Sequence, residues 1–279
     1  MKRILLDLTY DCNMKCPWCV ARYVGAEKLA GQISESSYAK VMEHLKQEQY
    51  DLYTFHGGEP LLYPELLKRY IKDIKAINPK AKMMLYTNGT LITQDIAFLL
   101  NDNNVHACIS LNAEGYKGLM HFIQTAPDAE EIFKTIRQLR SYDIRVVKQR
   151  FKPFAYESLL LHNIFMNCSI NTVPDYTTLK DWTQADIDFI RKELTLLKDK
   201  AKYFYTWHTL MQGFKHGCDC TDKKHYYLVT EDVREDPEAT VTQSGCSFFR
   251  RNMPLHLYTQ YQDLCEEFYG GKNNVSNNR

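Results

Sequence analysis

The first 200 or so residues alternate between short apolar runs and amphipathic stretches, which confines the chain to a parallel α/β architecture. Apolar runs at 2–8, 52–56, 82–86, 106–111 and 144–151 read as buried strands, and a sixth strand is expected around 164–170. Between them, 36–48 carries Tyr38, Val41, Met42 and Leu45 at helical spacing, and 64–77 carries Leu66, Leu67, Tyr70, Ile71 and Ile74. Further helices are expected at 95–100, 129–139 and 183–197. The last opens on Thr183 and Asp186, a capping-box pattern with Asp in the usual Glu or Gln place. Six strand–helix units fit a partial (β/α)6 TIM-like barrel, open along one side and able to admit a large substrate edge-on. No internal repeat is visible.

At 279 residues the chain is long enough for one large α/β domain and a modest extension. Its texture changes near Lys202, where Tyr203, Phe204, Tyr205, Trp207 and His208 crowd together. A hairpin is expected to run from 226–230 to 239–243 around the acidic turn 231–238, with a helix near 258–268. The expected organisation is therefore a partial barrel over 1–201, a short Cys-containing C-terminal extension over 202–269 and a disordered, Asn-rich tail over 270–279.

Cys12, Cys16 and Cys19 follow the first strand at C-x3-C-x2-C spacing. Three thiolates so spaced can hold three corners of a cubane iron–sulfur cluster and leave the fourth iron open for chemistry. They sit after a strand, at the end where barrel-like α/β proteins build active sites. Cys16 and Cys19 alone also fit a redox pair, which leaves Cys12 without a role. A zinc site would need a fourth ligand such as His56 or a distant cysteine.

With Trp18 just before its last cysteine, this run resembles the signature of radical S-adenosylmethionine (SAM) enzymes. Gly57-Gly58-Glu59-Pro60 resembles that family's Gly-Gly-Glu-Pro motif. Thr87-Asn88-Gly89-Thr90 and Ile109-Ser110-Leu111-Asn112 resemble its next two strand ends. The resemblance implies a [4Fe-4S] cluster on Cys12, Cys16 and Cys19, with SAM chelated at the open iron. It implies one-electron cleavage of SAM to methionine and a 5′-deoxyadenosyl radical, which then takes a hydrogen atom from an unactivated C–H bond.

For SAM itself, the resemblance implies that Trp18 packs near the adenine and that Gly57 and Gly58 let the backbone approach closely. Glu59 would meet the ammonium group, and Ser110 and Asn112 the ribose or methionine part; related sequences usually have Asp where Asn112 stands. Asn88 would contact SAM or substrate, or shape the turn before Gly89. Lys148 and Arg150, near the end of the fifth strand, could pair with the SAM carboxylate or stand in solvent.

Cys218, Cys220, Cys246 and Cys265 lie around and beyond the expected hairpin and resemble the auxiliary-cluster extensions called twitch or SPASM. The C-x2-C-x5-C-x3-C run of a full SPASM extension is absent, so these cysteines could build at most one auxiliary iron–sulfur cluster; a zinc site is the competing use. Cys108 and Cys168 sit in apolar strand contexts and read as buried packing residues. The resemblance favours a ribosomal-peptide maturase that forms crosslinks or epimerises residues. The alternative is an enzyme acting on a sugar, nucleoside or pterin. Either needs a reductant such as flavodoxin or ferredoxin, and the peptide reading allows a separate leader-binding protein.

Charge is balanced, 35 Lys and Arg against 34 Asp and Glu, so no global basic field favours nucleic acid. No segment has the makings of a secretory signal or a membrane span. Nine cysteines in such a chain point to reduced thiols in a cytoplasm. Nineteen tyrosines exceed the needs of a core, and their apolar rings with polar tips suit the walls of a substrate cleft.

Overall fold

Strands form here where alternate side chains can be buried against helices, and each helix offers one apolar stripe in return. In the computed structural model, which describes residues 3–19, 31–111, 128–148, 150–165, 169–174, 176–197, 204–206, 226–229, 232–234, 256–257 and 260, this exchange produces a nine-stranded sheet. The first half runs β1 (Arg3–Thr9), α1 (Glu35–Gln47), β2 (Leu52–Gly57), α2 (Pro64–Ile77), β3 (Lys82–Thr87), α3 (Gln94–Asp102) and β4 (Val105–Ser110). The second half runs α4 (Ala129–Ile136), β5 (Tyr142–Lys148), α5 (Ala155–Ile164), β6 (Ser169–Pro174), α6 (Gln184–Leu196), β7 (Phe204–Thr206), β8 (Tyr226–Val229) and β9 (Asp232–Arg234).

The strand order is β7-β6-β5-β4-β3-β2-β1-β8-β9, parallel throughout except for the β8–β9 pair. Sequential parallel strands joined through helices are the expected partial TIM-like barrel. Among the described residues no helix is long and apolar enough to cross a membrane.

Each strand has two faces, because successive side chains point to opposite sides. One face meets the helices. Tyr53 and Phe55 of β2 are completely buried there, with Phe55 6.3 Å from the ring of Tyr70 on α2. Leu67, Ile71 and Ile74 on the same helix are also buried, each contributing about 1.5–3 kcal/mol. α1 starts where Ser34 Oγ accepts the Ser37 backbone N–H, and it buries the expected Tyr38, Val41, Met42 and Leu45. The other face, turned away from the helices, carries the polar alternates: Asp7, His56, Tyr86, Cys108, Asp143 and Arg145.

Several boundaries differ from expectation. The fifth strand covers Tyr142–Lys148 and stops short of Phe151, which lies in the left-handed region at φ 53°. Residue 164 ends a helix, α5, where a strand was expected, and β6 begins at Ser169. β7 pairs with β6 and carries the parallel sheet past Lys202, one strand beyond the six expected. The hairpin is tighter than expected. β8 is Tyr226–Val229, but its antiparallel partner is Asp232–Arg234, inside the stretch read as an acidic turn. A two-residue connection matches strand twist best, and charged side chains are tolerated on an edge strand. Residues 239–243, the helix near 258–268 apart from position 260, and the tail 270–279 lie outside the described residues.

Candidate active site

Cys12, Cys16 and Cys19 lie on the loop leaving β1, at the C-terminal end of the parallel strands. Inside that loop Cys19 N donates to Cys16 O at 3.2 Å, and Met14 N donates to Cys12 Sγ at 3.4 Å. The loop is clamped to the end of β2. Gly58 N donates to Thr9 O and Glu59 N to Asp11 O, each at 2.7 Å. Asp11 is held from two further sides, by its N–H to Thr9 Oγ1 at 2.9 Å and by the Tyr63 hydroxyl to its Oδ2 at 2.5 Å.

The glycines are required by this approach. A Cβ on Gly57 would lie 2.0 Å from Thr9 O, and one on Gly58 would lie 2.1 Å from Asp11 O. Gly57 also has φ +134°, which side-chain-bearing residues rarely adopt.

Glu59 lies at the exit of the glycine turn. Its carboxylate is completely buried. Oε1 accepts Leu61 N at 3.0 Å and Thr87 Oγ1 at 2.8 Å, and Oε2 accepts Asn88 N at 2.7 Å. Burial raises its pKa, while the hydrogen bonds from Asn88, Leu61 and Thr87 act in the opposite direction. The side chain thus fastens the end of β3 beneath the Gly57–Gly58 turn.

Asn88 extends that connection to the cysteine loop. Its Nδ2 donates to Asn13 Oδ1 at 2.8 Å and lies 3.9 Å from Cys12 Sγ, while its Oδ1 accepts Thr90 N at 2.9 Å. Asn13 Nδ2 returns a hydrogen bond to Thr90 Oγ1 at 2.8 Å. Trp18 stands half-buried beside Cys19, and Ser110 is half-buried at the end of β4. The structure therefore gathers Cys12, Cys16, Cys19, Gly57, Gly58, Glu59 and Asn88 around one strand-end turn. Asn112, Cys168, Cys218, Cys220, Cys246 and Cys265 lie outside the described residues, as does the side chain of Lys148.

Arg150 is paired within the chain. Its guanidinium grips Asp186 in a bidentate pair at 2.6 and 2.9 Å. Asp186 also accepts Thr183 N and Oγ1 at 2.7 and 3.0 Å, so the expected capping interaction is present and Arg150 completes it.

Sequence reasoning missed the row of polar side chains on the inner face. Asp7 and His56 are register partners, with Nδ1 of His56 3.0 Å from Asp7 Oδ1. The other Asp7 oxygen accepts the Tyr10 hydroxyl at 2.7 Å. The ring of His56 meets Tyr86 edge-on at 5.4 Å, and Arg145 lies over the same Tyr86 ring at 4.3 Å. Cys108 is buried as expected, yet its neighbours are charged: Arg145 Nη2 at 3.3 Å and Asp143 Oδ2 at 3.8 Å.

Burial raises the Cys108 thiol pKa and raises that of Tyr86 to about 12, so both stay protonated. Desolvation acts to raise Asp143, but the Arg145 charge and the His106 hydrogen bond outweigh it and leave its pKa lowered. His106, Cys108 and Asp143 are close enough to share a metal ion. The Arg145 cation, within 3.4 Å of two of those three, makes this a poor cation site.

The donor set after β1 fits a cluster with three protein ligands. The thiols share one short loop, and the glycine turn packs against the backbone just ahead of it. Comparison with known proteins gives the same direction. The chain matches the family model described as Radical SAM superfamily over residues 6–151. It is 21% identical over 216 residues to a GTP 3′,8-cyclase of Aquifex aeolicus, covering 73% of this chain and 66% of the cyclase. It is 22% identical over 206 residues to a cysteine-type anaerobic sulfatase-maturating enzyme of Clostridium perfringens, covering 70% and 52%.

The chain thus spans two-thirds or less of the length of these relatives. Among solved structures, native anSMEcpe with bound AdoMet and a Cp18Cys peptide superposes with a TM-score of 0.65 at 14% identity, over 98% of this chain and 99% of that one.

Proposed function

Since the chain belongs to the Radical SAM superfamily, we propose that it is a peptide-modifying member, an enzyme that takes a hydrogen atom from a peptide substrate on the way to a crosslink or an epimerised residue. Membership implies a [4Fe-4S] cluster, SAM and a one-electron reductant. When bound, the reduced cluster would cleave SAM to methionine and a 5′-deoxyadenosyl radical.

The protein's residues bind, orient and shield. Cys12, Cys16 and Cys19 would hold three of the irons. The Gly57–Gly58 turn lets the cysteine loop pack closely on the end of β2, and Glu59, which also holds the Asn88 backbone, would meet the ammonium group of SAM. Trp18 would flank the adenine, and Ser110 and Asn112 the ribose or methionine portion. The single observation that carries the radical reading is the clamp between the cysteine loop and the Gly57–Gly58 turn, two motifs some 40 residues apart in the chain joined by paired 2.7 Å hydrogen bonds.

The peptide part is supported by the likeness to the sulfatase-maturating enzyme. We further propose a ferredoxin or flavodoxin as electron donor, a cytoplasmic setting, a separate leader-binding protein and one auxiliary cluster on Cys218, Cys220, Cys246 and Cys265. A small-molecule substrate is the second reading. It is favoured by the charged inner face around Asp143 and Arg145 and by the likeness to the GTP cyclase.

The test is anaerobic reconstitution followed by SAM and dithionite, with 5′-deoxyadenosine measured in the presence of cysteine- and serine-containing peptides or nucleoside triphosphates. Stimulation by peptides supports the first reading and stimulation by nucleotides alone the second. Cys16→Ala is expected to lose both the cluster's absorbance near about 400 nm and SAM cleavage; a brown, active variant would refute the assignment of the cysteines.

A further inference from the structure

We propose that Asn88 is a positioning residue for the iron–sulfur cluster: its side-chain amide donates an N–H to the Cys12 sulfur and thereby raises the reduction potential of the cluster which that sulfur would ligate. The inference rests on the radical reading above, because it takes Cys12 to be a cluster ligand. Asn88 immediately follows β3, and its backbone is fixed there by the 2.7 Å hydrogen bond from its N–H to Glu59 Oε2. From that anchored position the side chain reaches the loop after β1, where its Nδ2 lies 3.9 Å from Cys12 Sγ.

The orientation of the amide is set by its neighbours. The Thr90 backbone N–H, which can only donate, meets Asn88 Oδ1 at 2.9 Å, and the Thr90 hydroxyl lies 2.6 Å from the same oxygen. The NH2 group must therefore face the cysteine loop. Of its two protons, one goes to Asn13 Oδ1 at 2.8 Å and the other is directed at Cys12 Sγ. Asn13 Nδ2 closes the circuit on Thr90 Oγ1 at 2.8 Å, so Asn88, Asn13 and Thr90 each donate to the next. The ring holds the amide in place beside the loop, and Asn13 is the residue next to Cys12. Shaping the turn before Gly89 would need only the Oδ1 half of this side chain.

Adding an electron to a cluster places more negative charge on its sulfurs. An N–H aimed at one of them therefore favours the reduced state over the oxidised one, and removing it lowers the potential. Cys12 Sγ also accepts the Met14 N–H at 3.4 Å, but that donor is backbone and survives side-chain substitution. The Asn88 amide is the donor that a point mutation can delete. One electron enters from the reductant and no proton moves, so the amide changes only how readily that electron is accepted.

The test is a redox titration of the anaerobically reconstituted full chain, following the electron paramagnetic resonance signal of the cluster that Cys16→Ala removes. In Asn88→Ala the ratio of reduced to oxidised cluster is expected to be about three- to tenfold lower at any fixed potential, a fall of about 30–60 mV for a one-electron couple. Asn88→Asp keeps the shape and the Thr90 contacts but offers the sulfur a negative charge in place of a proton, so its potential is expected to fall at least as far. Thr90→Val breaks the ring while leaving the Asn88 amide, and it is expected to titrate with wild type even where it holds iron less firmly. An unchanged potential in Asn88→Ala, or an equal fall in Thr90→Val, would overturn the proposal. So would a Thr90→Val protein that loads the cluster when neither Asn88 variant does, since the side chain would then build the site rather than tune it. A wild-type chain with no cluster that Cys16→Ala removes would sink the radical reading itself, and the proposal with it, before any Asn88 variant is titrated.

Discussion

Replacing Gly58 by alanine tests whether the glycine turn positions the cysteine loop. Gly58 does not have a left-handed φ, so the substitution acts through contact alone. The added Cβ would lie 2.1 Å from Asp11 O and 2.6 Å from Tyr10 O, both backbone atoms that cannot swing aside as a side chain would. Restoring normal contact needs a displacement of about 1 Å or more between the turn and the loop. That displacement takes Gly58 N away from Thr9 O and Glu59 N away from Asp11 O, two hydrogen bonds of 2.7 Å. Each is worth about 1 kcal/mol net, and donors left unpaired add to the cost, so a loss of about 2–4 kcal/mol is expected. For a domain of this size that is a fall in Tm of roughly 5–15 °C.

Asp11 directly precedes Cys12, so iron bound per chain after anaerobic reconstitution should fall as well. Thermal unfolding followed by circular dichroism and an iron assay on the same preparation give both numbers. A Gly58→Ala protein with wild-type Tm and wild-type iron would refute the clamp. One that is destabilised but loads iron normally would show that the clamp supports the fold without placing the thiols.

Three other perturbations address separate parts of the molecule. Glu157 is 2% exposed on α5, its Oε1 has no hydrogen-bond partner among the described residues, and burial pushes its pKa up to about 8. A carboxyl whose folded pKa exceeds its unfolded value stabilises the fold while protonated, and that contribution is lost as pH rises from about 4.3 to 8. Glu157→Gln should therefore gain on the order of 4 kcal/mol relative to wild type between pH 5 and pH 8 in urea unfolding; parallel pH dependences of the two proteins would contradict this. Arg150→Ala should cost about 2 kcal/mol by removing charged hydrogen bonds to Asp186. It should leave the apparent affinity for SAM in the cleavage assay unaltered, and a weakened affinity would return Arg150 to the cofactor site. Replacing Cys220 and Cys246 together should lower iron per chain while SAM cleavage without substrate stays measurable, and unchanged iron would remove the auxiliary cluster.

The early strands were legible because their helix-facing residues, such as Tyr53 and Phe55 or Met83 and Leu85, carry a strong burial signal within compact runs. α5 escaped because Leu159, Leu160 and Leu161 are consecutive and Tyr156 is exposed, which blurs helical periodicity. β7 is three residues long, too short to announce itself. At the site, the cysteines and glycines declared themselves through spacing, since thiol ligation and close backbone approach each demand one residue type. Arg150 could not be assigned the same way. Its partner Asp186 lies 36 positions on, and only the packing of α6 brings them together.

The inner face carries a signal that strand reading passed over. A charged residue inside an apolar run is costly unless it is paired. Asp7 between Leu6 and Leu8, and Asp143 and Arg145 on either side of Ile144, are such residues. Their i, i+2 spacing alone puts Asp143 and Arg145 on one face. Barrel interiors built for stability are filled with branched apolar side chains. Here the same level of the sheet holds Asp7 against His56, and Cys108 and Asp143 against Arg145, groups whose desolvation must be offset by one another. Well-packed apolar residues would serve the fold at least as well. The polarity of this face is therefore better explained by what must be bound beside the Gly57–Gly58 turn than by the needs of the core.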